Sequence, residues 1–173
     1  MANITITING KQVEVPAGST ILDAAKKLNI HIPTLCYCPD VGCGVANKPA
    51  SCRLCLVEAT GIRGPRKILA PACATPVAPN MEVWTNSARA MKARRTVLEL
   101  LLSDHPQNCL TCAKNQECEL QKLAAEFGIR EISYQGEKNY YPVDESAAIM
   151  RDLLLALAPI LYFQWAATPY SAV

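Results

Sequence analysis

Residues 3–28 read NITITINGKQVEVPAGSTILDAAKKL, and this stretch decides the fold of the first part of the chain. Apolar and polar residues alternate over 3–8 and again over 11–15, which is typical of strands with one buried face. Asn9-Gly10 lies between the two runs and favours a tight type I′ turn, because both residues tolerate positive φ. The pattern therefore predicts a β-hairpin.

A short amphipathic helix is predicted directly after the hairpin. Thr20 is suited to the N-cap position, and Asp23 lies where its carboxylate can bond back to the Thr20 amide in a capping box. One apolar face at helical spacing follows, formed by Ile21, Ala24, Ala25 and Leu28. Two strands followed by a helix that lies across them indicate the opening of a β-grasp fold.

The remaining pattern predicts an α+β chain with two units and a connector. Short strands are expected at 55–59, 67–70 and 82–85, so a mixed sheet with one crossing helix occupies residues 1–86. Strong helix formers over 88–102 and a second helical run over 117–127, ended by Gly128, predict a helical unit at 87–130. The cationic side chains of the first of these helices are expected to be solvated or to face a partner: Arg89, Lys92, Arg94 and Arg95. Residues 131–173 are expected to form an extended connector and an apolar tail.

Composition excludes some classes of function. The 17 Lys and Arg residues nearly balance 15 Asp and Glu residues, so electrostatics gives no case for a nucleic-acid partner. Nine cysteines cannot all pair with one another, and the opening residues read as a strand and not as a secretory signal. We therefore expect a cytoplasmic protein whose cysteines hold metal.

The first cysteine group contains a compact Cys52-x2-Cys55 pair, with Cys36 before it and Cys73 after it. A two-residue spacer lets two thiolates reach one cluster from a single turn, and two flanking ligands complete the plant-type ferredoxin pattern. Small residues nearby suit a loop whose amides point at the sulfides. The pattern predicts one [2Fe–2S] cluster, and a zinc site on the same four thiolates is the alternative.

Cys38 and Cys43 are surplus to this set of four. In the simpler interpretation they are ordinary loop residues. In the other, one of them replaces Cys36 as a ligand, because the loop is long enough to allow it.

The second group, Cys109-x2-Cys112-x5-Cys118, supplies only three thiolates. A [4Fe–4S] cluster takes four protein ligands, and His105 lies close enough in sequence to supply the fourth through an imidazole nitrogen. His105 as a cap of the preceding helix is the alternative. His31, the remaining histidine, is expected to pack near the first cluster and not to act in catalysis.

At these residues the chain resembles a known family. Cys36, the run 52–58, Cys73 and the run 98–121 are similar to the N-terminal iron–sulfur module of the large iron–sulfur subunit of complex I. The same module begins the catalytic subunit of NAD-linked, electron-bifurcating [FeFe]-hydrogenases, and the run DHPQNCLTCAKNQECELQ is nearer that branch.

The resemblance covers residues 3–152 and implies a β-grasp [2Fe–2S] ferredoxin-like domain followed by a helical [4Fe–4S] domain. By position it assigns the first cluster to Cys36, Cys52, Cys55 and Cys73, and the second to His105, Cys109, Cys112 and Cys118. It also implies partners: a flavin- and NAD(P)-binding subunit, a small 2Fe-2S subunit, and ferredoxin as a further candidate. No cysteine follows Cys118, so the further clusters and the hydrogen-converting domain of the family are not expected here.

The function predicted from these features is electron relay, without a substrate site in the chain itself. The two alternatives are a zinc-stabilised interaction module and an enzyme acting on its own. The apolar tail over 153–167 is shorter than the roughly 20 residues that a spanning helix needs. We therefore expect it to dock on a partner subunit, with membrane contact as the alternative.

Overall fold

The computed structural model describes residues 3–37, 49–62, 64–112 and 114–134, and the backbone of two short strands at 144–146 and 149–151. The chain divides into two compact units, Met1–Arg95 and Thr96–Val173.

The first unit begins with the predicted hairpin. Strand β1 (Asn3–Ile8) pairs with strand β2 (Lys11–Pro16) in antiparallel register, with Ile4 opposite Val15. Asn9 and Gly10 have φ values of 49° and 80°, which is the positive φ that a type I′ turn requires at both positions. The hairpin prediction is confirmed.

Helix α1 (Ile21–Lys27) begins with the predicted capping box. The Asp23 amide donates to Thr20 Oγ1 at 3.2 Å, and the Thr20 amide donates to the Asp23 carboxylate at 3.0 Å. Two N–H groups that lack helical partners are satisfied in this way. The helix then buries one face in the core, formed by Ile21, Leu22, Ala24 and Ala25.

Three further strands complete a mixed sheet. They are β3 (Leu56–Ala59), β4 (Ile68–Pro71) and β5 (Glu82–Trp84), within about a residue of the predicted limits. The strand order is β2-β1-β5-β3-β4, and only the β1–β5 pair is parallel. β5, the last of these five strands along the chain, therefore lies in the middle of the sheet.

The core lies between this sheet and α1. Its largest fully buried side chains include Ile6, Ile8, Ile21, Val57 and Met81. Cys55 and Cys73 belong to the same buried cluster, so part of the first cysteine group is built into the core.

Helix α2 (Ala88–Asp104) corrects one expectation about charged residues. Arg89, Lys92 and Arg95 are exposed as expected, but Arg94 is only 2% exposed. Met91, an apolar residue of the same helix, is 39% exposed. The helix therefore presents an arginine to the protein interior and a methionine to solvent.

The second unit contains a cysteine-rich turn and a short helix. A 3₁₀ turn covers Cys109–Thr111, and α3 covers Glu119–Glu126 with Leu120 and Leu123 buried. Gly128 has a φ of 63° and follows the helix end, as predicted for a C-terminal cap.

The predicted extended connector contains regular structure. Strands β6 (Asp144–Ser146) and β7 (Ile149–Arg151) form an antiparallel pair. The apolar tail, residues 153–173, lies outside the described residues, and so do Cys38 and Cys43. Within the described residues, no helix combines the length and apolar character needed to cross a membrane.

Candidate metal centres

The ends of two strands and two loops bring the first cysteine group together. Cys55 directly precedes β3, and Cys73 lies two residues beyond the end of β4. Cys36 lies in the buried segment after α1, and Cys52 lies in the loop that leads into β3. Three of the four thiols are buried, and Cys52 is partly buried.

Cys55 and Cys73 form a close pair because the β3–β4 ladder continues beyond the strands themselves. Leu56 is opposite Pro71, and the Ala72 amide donates to the Cys55 carbonyl at 3.1 Å. The two sulfur atoms are 3.3 Å apart, with the Cys55 thiol donating to Cys73. Two thiolates on one tetrahedral metal at about 2.3 Å would lie roughly 3.8 Å apart. The pair is therefore close to the spacing that one metal ion requires.

Cys36 and Cys52 form a second pair. Burial raises the pKa of the Cys52 thiol, backbone hydrogen bonds at Leu54 and Leu35 oppose that rise, and a hydrogen bond with Cys36 adds to it. The pKa of the Cys73 thiol is likewise raised, to about 12, mainly by burial. The hydrogen bond with Cys55 and a smaller electrostatic effect of Cys36 add to this rise. The electrostatic effect of Cys36 on Cys73 indicates that the two pairs are neighbours.

Backbone amides point at the sulfur atoms from a loop with unusual dihedral angles. The Ala50 amide donates to Cys73 Sγ at 3.1 Å. Ala50 and Arg53 have φ values of 66° and 60°, in the left-handed region that residues with a Cβ adopt rarely. Consecutive amides turned by such residues form concave anion sites, which are frequent at iron–sulfur clusters.

This arrangement fits a [2Fe–2S] cluster. Such a cluster takes four thiolates, two on each iron, and the structure presents two thiol pairs. Among the described residues, no three His, Cys, Asp or Glu side chains form a group that could hold one metal ion. The described residues therefore form two adjacent thiol pairs, and backbone amides donate hydrogen bonds to their sulfur atoms.

The second cysteine group lies between two helices. His105 directly follows α2, and its Nδ1 atom is buried. Cys109 opens the 3₁₀ turn, and the Cys112 amide closes the turn with a hydrogen bond of 3.2 Å to the Cys109 carbonyl. Cys118 is the N-cap residue of α3, where the helix dipole favours a negatively charged group such as a thiolate. The three cysteines are partly buried.

A cleft of about 680 Å³ opens beside this group. Cys109 lines it together with apolar side chains that include Leu102, Ile129, Ile132 and Tyr134. Leu110, the neighbour of Cys109, is 92% exposed. One side of the cysteine-rich turn therefore faces the cleft and the other faces solvent.

Two further residues bear on the first cysteine group. His31 is exposed, and its expected packing near the first cluster stays a prediction. Arg94 was expected on the surface, but its Nε atom donates to the carbonyl of Leu56, the residue after Cys55, at 2.7 Å. The sequence signal for Arg94 is weak, because an arginine on an amphipathic helix is usually solvated.

Two family models cover most of the chain. Residues 1–88 match a 2Fe-2S iron-sulfur cluster binding domain. Residues 94–133 match the NADH-ubiquinone oxidoreductase-G iron-sulfur binding region. The first match covers half of the chain and the first cysteine group, and the second covers His105 and the second group.

Known proteins with similar sequences are subunits of oxidoreductases. The chain is 60% identical to the NADP-reducing hydrogenase subunit HndD of Solidesulfovibrio fructosivorans over 154 residues, which cover 88% of this chain and 26% of that protein. It is 38% identical to the mitochondrial NADH-ubiquinone oxidoreductase 78 kDa subunit of Neurospora crassa over 127 residues, which cover 73% of this chain and 16% of that protein.

A solved structure has the same architecture. An NAD⁺-reducing [NiFe]-hydrogenase in the H₂-reduced state matches with a TM-score of 0.70 and 32% identity, over 84% of this chain and 57% of that one. The chain spans about a quarter or less of the two relatives named above. The resemblance inferred from the motifs is confirmed. The chain belongs to the family of 2Fe-2S iron–sulfur cluster binding domains, followed by an NADH-ubiquinone oxidoreductase-G iron–sulfur binding region, as in subunits of NADH- and NADP-linked oxidoreductases and hydrogenases.

Proposed function

We propose that the chain is a two-cluster electron relay. A [2Fe–2S] cluster is held by Cys36, Cys52, Cys55 and Cys73, and a [4Fe–4S] cluster by His105, Cys109, Cys112 and Cys118. Single electrons pass between a flavin-bearing subunit that binds NAD(P)H and ferredoxin or another acceptor. The chain carries no substrate site and is not an enzyme by itself.

The arrangement of four thiols in two pairs is the observation that carries the proposal. The Cys55–Cys73 sulfur distance of 3.3 Å and the Cys36–Cys52 hydrogen bond bring together ligands from three separate parts of the chain. A relay also requires a site protected from water, and Cys36, Cys55 and Cys73 are each at most 3% exposed. The chain's own residues therefore supply both the ligands and their shielding.

Backbone hydrogen bonds allow the chain to set the reduction potential of the first cluster. When bound, the [2Fe–2S] group supplies one-electron redox chemistry. The Ala50 amide donates to Cys73 Sγ, and a donor at a ligand sulfur stabilises the more negative, reduced state. The loop with two left-handed residues is thus a means of setting the potential.

The second site differs in its charge. Three thiolates and one neutral imidazole carry one negative charge fewer than four thiolates do. Histidine in place of cysteine raises the reduction potential in Rieske centres, and we expect the same direction here. His105 directly follows the last turn of α2, and this placement supports the proposed role.

The proposed partners follow from the relatives, whose names specify NADH- or NADP-linked enzymes. We propose a complex with a flavin- and NAD(P)-binding subunit and a small 2Fe-2S subunit, in the cytoplasm. Residues 1–86 would carry the first cluster, 87–130 the second, and 131–173 would contact a partner.

Iron and sulfide analysis of anaerobically purified variants tests the ligand assignment. Cys55→Ser is expected to lower iron from about six to about four per chain, and Cys112→Ser from about six to about two. Cys38→Ser is the matched control for Cys36→Ser, and only the latter should lose the first cluster. Unchanged iron in Cys55→Ser, or a colourless protein that contains zinc, would contradict the proposal.

A further inference from the structure

A buried arginine donates a hydrogen bond to the residue that follows Cys55. Arg94 is 2% exposed, and its Nε atom donates to the Leu56 carbonyl at 2.7 Å. Its Nη1 atom approaches Met91 Sδ at 3.9 Å. Arginine is almost never fully buried unless specific partners hold it, so this position is specified by the fold.

The sheet explains why an arginine is needed at Leu56. The Thr60 amide donates to the Glu82 carbonyl, which belongs to β5. Because backbone groups alternate from side to side along a strand, the even-numbered residues of β3 also point their N–H and C=O groups toward β5. However, β5 pairs with β3 only at Glu58 and Ala59 and ends at Trp84. The Leu56 carbonyl therefore lies beyond the end of β5, and the Arg94 guanidinium supplies the donor that a longer β5 would have supplied.

We infer that Arg94 is a positioning residue of the [2Fe–2S] site and that its buried charge stabilises the reduced cluster. This rests on the proposed function. Leu56 is bonded to Cys55, so the Arg94 hydrogen bond fixes the strand end that holds the Cys55 sulfur 3.3 Å from Cys73. Reduction adds one electron to the cluster and breaks no bond. A cation in the interior acts on that added charge with little screening by salt.

The same helix offers controls for this effect. Lys92 and Arg95 are exposed, so their charges are screened by solvent. Arg89 is exposed and pairs with the Glu58 carboxylate at 3.6 Å. Arg94 is the arginine of this helix that combines burial with a hydrogen bond next to a proposed ligand.

The test is an anaerobic redox titration of the full chain, monitored by EPR of the [2Fe–2S] signal, with dithionite as the reductant. Arg94→Met should shift the midpoint potential of this signal to a more negative value. Arg94→Lys keeps the charge and should retain most of the wild-type potential. Lys92→Met removes one charge from the same helix and should leave the potential unchanged.

An Arg94→Met chain that binds the first cluster with wild-type potential and spectrum overturns the inference. If Arg94→Met does not fold, Arg94→Gln and Arg94→Lys provide the comparison. The inference predicts a more negative potential for Arg94→Gln, which keeps a donor without a charge, and equal potentials overturn it. A wild-type chain without any [2Fe–2S] signal would instead contradict the proposed function, so the two failures are distinguishable.

Discussion

Leu54→Ala should destabilise the first unit strongly, and the chain contains a matched control. Leu54 lies between Cys52 and Cys55 and is 0% exposed. Leu110 lies between Cys109 and Cys112 and is 92% exposed. The two leucines both lie inside Cys-x2-Cys motifs, but only the first contributes to a core.

The magnitude follows from this difference in burial. A buried leucine truncated to alanine loses its transfer free energy and leaves a cavity, at a cost of about 2–5 kcal/mol. In a unit of 95 residues, a cost of about 3 kcal/mol lowers Tm by roughly 12–24 °C. Leu110→Ala should stay within about 0.5 kcal/mol of the wild type.

Thermal unfolding of the anaerobic, cluster-loaded chain would measure this, with far-UV circular dichroism and the cluster absorption recorded together. Cluster loss makes unfolding irreversible, so all variants must be heated at one scan rate. A Leu54→Ala Tm within about 3 °C of the wild type would show that the buried Leu54 side chain does not stabilise the first unit. An equal loss of stability in Leu110→Ala would show that the effect does not depend on burial.

Two further changes test local features of the first unit. Thr20→Ala removes the capping box of α1 and should cost about 1 kcal/mol, whereas Thr20→Ser should retain most of that stability, as measured by the same melting experiment. Ala50→Pro removes the amide that donates to Cys73 Sγ and cannot adopt a φ of 66°, so the iron content should fall by about two per chain. Ala50→Gly keeps the amide and accepts that φ, and it should retain full iron; loss of iron in both variants would contradict the role given to this amide.

Local signals predicted the opening of the fold well. The alternation over 3–8, the Asn9-Gly10 turn and the Thr20–Asp23 box each depend on neighbouring residues, and all three are present in the structure. The placement of β5 beside β1 could not be predicted in this way. It depends on pairing Thr7 with Glu82, and no local pattern specifies a partner so distant in sequence.

The residues of the candidate site divide in the same way into those that local patterns predict and those that depend on contacts distant in sequence. Spacing selected Cys52, Cys55 and Cys73 and left Cys36 with an alternative in the same loop, and the structure pairs Cys55 with Cys73 and Cys36 with Cys52; the ligand role of all four stays a prediction. Arg94 was missed, because helical periodicity does not reveal a sheet edge that needs a donor. The left-handed Ala50 and Arg53 were also missed, since neither residue type signals positive φ. For the second group, the ligand role of His105 stays a prediction.

EPR of the dithionite-reduced chain, with iron and sulfide analysis of the same sample, decides whether the chain holds two iron–sulfur clusters. A two-cluster relay should give two overlapping signals and about six irons per chain, two from the first cluster and four from the second. A silent, colourless protein that contains zinc would contradict it and would indicate a structural interaction module instead.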